Sequence, residues 1–203
     1  ERAIGTSSPH ADDVRLLREQ AQRCRNILAK LSELPSGEPF DHLALPALIE
    51  EVIAPHRNLD IVIDVALANG SSPPVSARSP AILYGLGNLV ENAVDFAKGN
   101  VEILADWSNE EVTLTIRDDG PGFAPNIIDR MGEPYVRSST RRRIKNSGET
   151  NGLGLGFFIA KTLLEQSGAK LTFWNRNYPE HGAVIQLRWP RPRFEQKPGP
   201  TGT

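Results

Sequence analysis

Residues 148–171 read "GETNGLGLGFFIAKTLLEQSGAKL", with four glycines in nine positions running straight into an apolar stretch at helical spacing. Gly152, Gly154 and Gly156 occupy alternate positions, so backbone N–H groups can face an anion at the positive end of the following helix dipole. That is phosphate-binding chemistry. A dinucleotide-binding turn needs a strand directly before its glycines, and a P-loop needs Gly-Lys-Ser/Thr; neither stands here. Alone the pattern is weak, and it has to be read with the rest of the chain.

The 203 residues suit one compact domain of about 150 residues plus an appendage. Apolar residues make up 39%, charged residues 24%, and the net charge is −2, so nothing draws the chain as a whole toward nucleic acid. The longest uncharged apolar runs fall far short of the roughly 20 residues that span a bilayer, and "ERAIGTSSPH" lacks the apolar core of a signal peptide. A single cysteine, Cys24, excludes an internal disulfide framework and fits a reducing, cytosolic setting.

The chain divides into three. Residues 11–34 read as one helix, with Val14, Leu17, Ala21, Cys24, Leu28 and Leu31 at alternating spacings of three and four, the seam of a coiled coil or helical bundle. "LPSGEPF" then breaks the helix, placing a hinge between segment 1–36 and segment 37–190. The second segment mixes helices, expected at about 46–57, 80–98 and 153–168, with strands at "LDIVIDVAL", "NVEILADW", "EVTLTIRDD" and "GAVIQLRWP". The polar, proline-rich tail 191–203 is expected to be disordered.

Three further features in the second segment carry chemistry. In "YGLGNLVENAVDFAKG" the residues Asn88 and Asn92 are four apart and project from one helix face, while Leu86, Leu89, Val90, Ala93 and Phe96 can pack the opposite side. Two stacked amides can offer carbonyl oxygens to a hard cation whose other ligands are phosphate and water; a solvated polar face is the plain alternative. "RDDGPGF" ends a strand in two carboxylates and turns through Gly120 and Gly122. A carboxylate there can accept from an exocyclic amine while glycine admits a flat ring, although D-G and P-G are also common turn dipeptides. The polar run 136–151 is too long for a tight connection and carries Arg137, Arg141, Arg142, Arg143 and Lys145, a lid suited to phosphates or else a solvated basic loop.

In order and spacing, Asn-Leu-Val-Glu-Asn-Ala (88–93), Asp-Asp-Gly-Pro-Gly (118–122), Glu-Pro-Tyr (133–135) and Gly-Leu-Gly-Leu-Gly (152–156) resemble the N, G1, F and G2 boxes of sensor histidine kinases. "REQAQRCRNIL" and "GLGLGFFIAKTLLEQSGA" are more narrowly similar to the redox-responsive RegB/PrrB/ActS group. The resemblance implies an α+β fold, the Bergerat (GHKL) ATP-binding α/β sandwich, preceded by a helix from a dimerisation hairpin. It implies ATP and Mg2+ as cofactors, with Asn92 as metal ligand, Asn88 as the candidate catalytic position near the phosphates, and Asp118 as reader of the adenine amine above Gly120 and Gly122. Tyr135 then holds the aromatic place of the F box, Arg137 is a phosphate contact, and Gly152, Leu153, Gly154, Leu155 and Gly156 close over the triphosphate. One departure is Asp95, where many members carry a basic residue; Lys98 or a lid arginine can substitute.

The fold is shared with gyrase, Hsp90 and MutL-type ATPases, which resemble one another in placing a water-activating glutamate four residues before the metal asparagine. Here that position is Asn88, and an amide cannot take a proton from water, which favours transfer over hydrolysis. The kinases also need a phosphoacceptor histidine followed by an acidic residue and Thr/Ser-Pro. His10, His42, His56 and His181 do not fit, so the chain is expected to be a fragment whose acceptor lies upstream. The resemblance further implies a homodimer through the N-terminal helix, a response-regulator partner, no nucleic acid and no direct membrane contact. It also implies residence in the cytoplasmic portion of a bacterial inner-membrane protein, and a redox switch at Cys24, which Arg23 and Arg25 flank. A catalytically silent dimerisation and nucleotide-binding module, or a hydrolytic ATPase of the wider fold family, remains the alternative.

Overall fold

A computed structural model describes residues 42–57, 60–68, 72–128 and 155–195. The first described elements are a short strand β1 (His42–Ala44) and helix α1 (Leu45–Ile53). Pro55 lacks an N–H and crowds the preceding turn, so the helix expected to reach about residue 57 stops at Ile53 and tightens into a 3-10 turn, Ala54–His56. β1 pairs antiparallel with β3 (Val75–Ala77) in a two-stranded sheet set apart from the main one.

Helix α2 (Pro80–Phe96) starts where its sequence permits. Ser79 accepts from Ile82 N at 3.4 Å, and Pro80 occupies the first turn, where a missing N–H costs nothing. Ile82, Leu83, Leu86, Leu89, Val90, Ala93 and Val94 are all buried along it. Helix α3 (Pro125–Ile128) is a single turn, and α4 (Leu155–Gln166) packs on α2 and beside β6 (Lys170–Asn175).

The main sheet has the order β2-β4-β5-β7-β6, with β2 (Val62–Leu67), β4 (Asn100–Trp107), β5 (Glu111–Asp118) and β7 (Ala183–Pro190). Only β2 and β4 run parallel; the other pairings are antiparallel. Period-two alternation sends Val101, Ile103, Ala105, Val112, Leu114, Ile116, Ile185 and Leu187 toward the helices, where Ile49, Val52 and Ile53 of α1 and Leu86 and Val90 of α2 meet them. The other face is polar, with cross-strand pairs Glu102–Arg117 at 3.7 Å, Glu111–Arg188 at 2.8 Å and Gln186–Thr115 at 3.3 Å.

Besides the short β1, β3 and α3, which were not among the expected elements, two more depart from the sequence reading. β6 follows α4 after Gly168 and was absent from the expected strands, although "KLTFWN" carries the alternation once the helix is stopped at Gln166. The tail expected to be disordered from residue 191 begins instead with helix α5 (Arg191–Phe194). Phe194 is 2% exposed and stacks edge-on against Trp189 at 5.5 Å, whose Nε1 donates to Ser167 Oγ at 3.0 Å. Burial of one aromatic ring outweighs the local proline content, and Arg191 adds bonds to the carbonyls of Ser108 and Ser72.

Gly85 sets the spacing of α2 and α4, because a Cβ there would lie 2.6 Å from Leu164 Cγ. Gly85→Val is therefore expected to destabilise the domain by about 1–3 kcal/mol through overpacking. In a Leu164→Ala background the same change should cost markedly less, a non-additivity read from urea-unfolding midpoints of the four proteins.

Candidate functional site

The helix-facing row of β5 runs Val112, Leu114, Ile116 and then Asp118, so the strand's own alternation drives a carboxylate into the interior, where it is 5% exposed. Its Oδ1 accepts from Gly120 N at 2.8 Å and from Ala183 N at 3.2 Å. Burial pushes the Asp118 pKa up, the two N–H groups pull it down, neighbouring Asp119 pushes it up and Arg176 pulls it down; the result lies above the ordinary carboxylate value. Asp119 points the other way. Its Oδ1 accepts from Lys98 N at 2.7 Å and Gly99 N at 3.1 Å. Slight burial works against its ionisation, but backbone N–H groups of Gly99, Asn100 and Lys98 outweigh it and hold Asp119 below the ordinary range.

The turn that follows is packed against main chain on both sides. A Cβ on Gly120 would overlap the carbonyl oxygen of Phe96, the last residue of α2. Gly122 has φ +77°, a left-handed conformation that favours glycine, and a Cβ there would lie 2.6 Å from Asn175 Oδ1. Across from it Gly182, at φ +126°, lies so close to the Asp118 carbonyl that no side chain fits. Asn175 binds both main-chain groups of Phe123, and the Phe123 ring packs edge-on against Phe173, which does the same with Phe157 of α4.

On α2, Asn88, Asn92 and Phe96 fall four residues apart on one stripe, so Phe96 lies with the asparagines and not on the opposite, buried face where the sequence reading placed it. Asn88 Nδ2 donates to the Tyr84 carbonyl at 2.9 Å and Asn92 Nδ2 to the Asn88 carbonyl at 2.7 Å, which leaves the amide oxygens as the groups a ligand can meet. A Cβ on Gly156, in the first turn of α4, would stand 3.1 Å from Asn88 Oδ1. The stripe thus touches the start of α4 at one end and the Asp118 turn at the other, with Asn92 between. Glu91 is exposed on another side of the helix.

The structure therefore brings together Asn88 with Gly156, and Asp118 with Gly120 and Gly122. Leu155 opens α4. Tyr135, Arg137, Gly152, Leu153, Gly154 and Cys24 lie outside the described residues. Among the described residues no cluster of three or more His, Cys, Asp or Glu could hold a metal ion, and no helix is long and apolar enough to cross a membrane. Sequence reasoning missed Asn175, Gly182 and Ala183, which act on the site from the end of β6, the connection before β7 and the start of β7. Their signal was the Asn-x-x-x-x-x-x-Gly-Ala spacing across a hairpin whose first strand had not been recognised.

Residues 79–193 match the family described as histidine kinase-, DNA gyrase B- and HSP90-like ATPases. The chain is 38% identical over 201 residues to the sensor histidine kinase RegB of Cereibacter sphaeroides, a match covering 90% of this chain and 43% of that protein. The chain thus spans less than half the length of that relative. In fold it is similar to the mycobacterial sensor histidine kinase MprB, with a TM-score of 0.59 at 20% identity over 74% of this chain and 97% of that one. The catalytic domain of the histidine kinase ThkA gives a TM-score of 0.58 at 21% identity, over 74% and 97%. Sheet order, the Asp118 turn, the asparagine stripe and these matches agree: the chain belongs to the histidine kinase-, DNA gyrase B- and HSP90-like ATPase family and, within it, resembles the sensor kinase RegB.

Proposed function

We propose that this chain is the catalytic ATP-binding part of a sensor histidine kinase, delivering the γ-phosphate of ATP to a histidine on a dimerisation helix for relay to a response regulator. The observation that carries the reading is the stripe Asn88–Asn92–Phe96, which spans from the start of the glycine-bordered helix α4 to the buried carboxylate turn. Asp118 is assigned to the adenine amine. Its Oδ1 is engaged by two main-chain N–H groups, so Oδ2 is the oxygen that accepts from the base. Phosphates fall toward Asn88 and the start of α4, whose dipole favours anions.

The residues present fit a magnesium ion carried with the nucleotide. Asn92 commits its Nδ2 to the helix and presents a neutral oxygen, a suitable single protein ligand for a hard cation otherwise bound by phosphate and water. The cation would neutralise phosphate charge, while the protein's own part is to orient: Asn92 from the side, Asp118 and its turn at the base. Asn88 supplies no general base, which supports phosphoryl transfer over hydrolysis. Segment 1–36 is assigned to the dimerisation hairpin, making the protein a homodimer, and Cys24 on its seam to redox control of the approach between ATP domain and acceptor, within a membrane-tethered cytoplasmic kinase.

Magnesium-dependent ATP binding is expected in this chain, with Asn92→Ala and Asp118→Ala each weakening it at least tenfold, about 1.4 kcal/mol; calorimetry showing parental affinity in both removes the site assignment. Incubated with labelled ATP alone, the chain should acquire no acid-labile phosphate at His10, His42, His56 or His181, whereas a separate polypeptide carrying the acceptor hairpin should become labelled. Steady release of inorganic phosphate without acceptor labelling would favour a hydrolase.

The raised pKa of Asp118 sets a trade between stability and function. A carboxyl whose folded pKa lies above its unfolded value stabilises fully only below the ordinary value of 3.8, and that contribution is lost as pH rises through the folded pKa. Asn can keep both bonds to Gly120 and Ala183 without the buried charge. Asp118→Asn is therefore expected to melt higher than the parent at pH 7, with the difference shrinking as pH falls toward 3.8, while ATP binding is lost because a donor replaces Oδ2. Thermal melts across that range, paired with ATP titrations, check both halves.

A further inference from the structure

β6 lends the Asp118–Phe123 turn one side chain to which the reading above gives no task. Asn175 is the last residue of β6, two positions beyond Phe173 on the helix-bearing face and opposite Ala183 in the β6–β7 ladder. Its carboxamide engages both main-chain groups of a residue far away in sequence: Oδ1 accepts from Phe123 N at 2.6 Å, and Nδ2 donates to the Phe123 carbonyl at 2.9 Å. A matched donor and acceptor meeting the N–H and C=O of one residue fixes the peptide groups on both sides of it, as a neighbouring strand would. Gly122 makes this approach possible, since any side chain there would strike Asn175 Oδ1. On the opposing strand Ala183 gives its N–H to Asp118 Oδ1. One cross-strand pair, Asn175 and Ala183, therefore holds both ends of the turn.

We propose that Asn175 is a positioning residue for purine recognition: by clamping Phe123 it fixes the plane of the Gly120–Gly122 turn under the base and thereby the angle at which Asp118 meets the exocyclic amine. This rests on the adenine reading of Asp118 given above. With the clamp gone, Asp118 keeps its bond to Ala183, but the far end of the turn is released and the support beneath the ring shifts. Hydrogen bonds weaken steeply as their angle closes toward about 120°, so the loss falls on the base that donates to Asp118. Adenine carries that amine at its six-position. Guanine carries a carbonyl there and gains nothing from Asp118, so its binding has little to lose.

The test uses the whole 203-residue chain. Asn175→Leu removes both bonds; Asn175→Asp keeps the shape and the acceptor but turns a carboxylate oxygen toward the Phe123 carbonyl. Folding is followed by circular dichroism melts, and affinities for magnesium-ATP and magnesium-GTP by displacement of a trinitrophenyl nucleotide. In both variants, each still melting cooperatively, ATP affinity is expected to fall at least tenfold and GTP affinity less than twofold, narrowing the adenine preference at least fivefold. If the leucine variant does not fold, the aspartate variant decides. Equal losses for ATP and GTP would reduce Asn175 to a structural staple and overturn the proposal, as would ATP affinity within twofold of the parent. A parent chain that binds ATP and GTP alike removes the adenine reading of Asp118 and the proposal with it, a result distinguishable from a failure in the variants alone.

Discussion

A carboxylate carried into the interior by the alternation of a central strand is the constraint around which this domain closes. Asp118 continues the row Val112, Leu114, Ile116, and it can stay buried only if main-chain donors meet it. Two do, and they come from different places: Gly120 in its own turn and Ala183 at the start of β7. Hydrogen bonds to a charged group contribute about 1.5–3 kcal/mol each, against a desolvation cost of several kcal/mol for a buried ion. The offset is incomplete, which is why the pKa of Asp118 stays raised. Geometry follows from the same bonds. β7 has to begin beside Asp118, so the residue before Ala183 must lie against the Asp118 carbonyl, and only glycine fits there.

The neighbouring carboxylate does the complementary work. Asp119 faces the other way and collects the N–H groups of Lys98 and Gly99, which fixes the link from α2 into β4. Two adjacent residues therefore tie the end of β5 to β7 on one side and to the exit of α2 on the other. Gly120 then lies against the Phe96 carbonyl, so the turn and the helix end move as one. The asparagine stripe inherits its placement from this arrangement, since Phe96 is its last member.

Most of the architecture was legible because it is written in local patterns. The alternation of "NVEILADW" and "EVTLTIRDD", the Ser79–Pro80 start of α2 and the paired asparagines are each visible within a few residues, and each stands where the pattern implies. What was hidden depends on contacts distant in sequence. β6 directly follows a helix with a similar apolar content, and only the stop at Gln166 and Gly168 separates them. Helix α5 exists because Phe194 finds Trp189, a pairing that outweighs a composition suggestive of a loose tail. Asn175 reads as an ordinary strand-end polar residue until its partner Phe123, on a different turn, is known. The four boxes name residues expected to face a ligand; Asn175 and Gly182, which hold the Asp118 turn in place, lie in none of them.

Position 88 shows how tightly an amide has been built into the helix. Asn88 gives its Nδ2 to the Tyr84 carbonyl, a bond that a carboxylate could not make, because it would set two acceptors against each other. The oxygen on its other side already stands so near Gly156 that a Cβ there would approach to 3.1 Å. A glutamate would be both longer and charged in that space. It would have to push α4 away from α2, against the contact in which Gly85 admits Leu164, or swing out toward solvent. A carboxylate at position 88 would thus lose the Tyr84 bond and turn away from α4 unless the two helices separated. The close approach of α2 and α4, which brings the start of α4 to the asparagine stripe, is the same feature that crowds position 88.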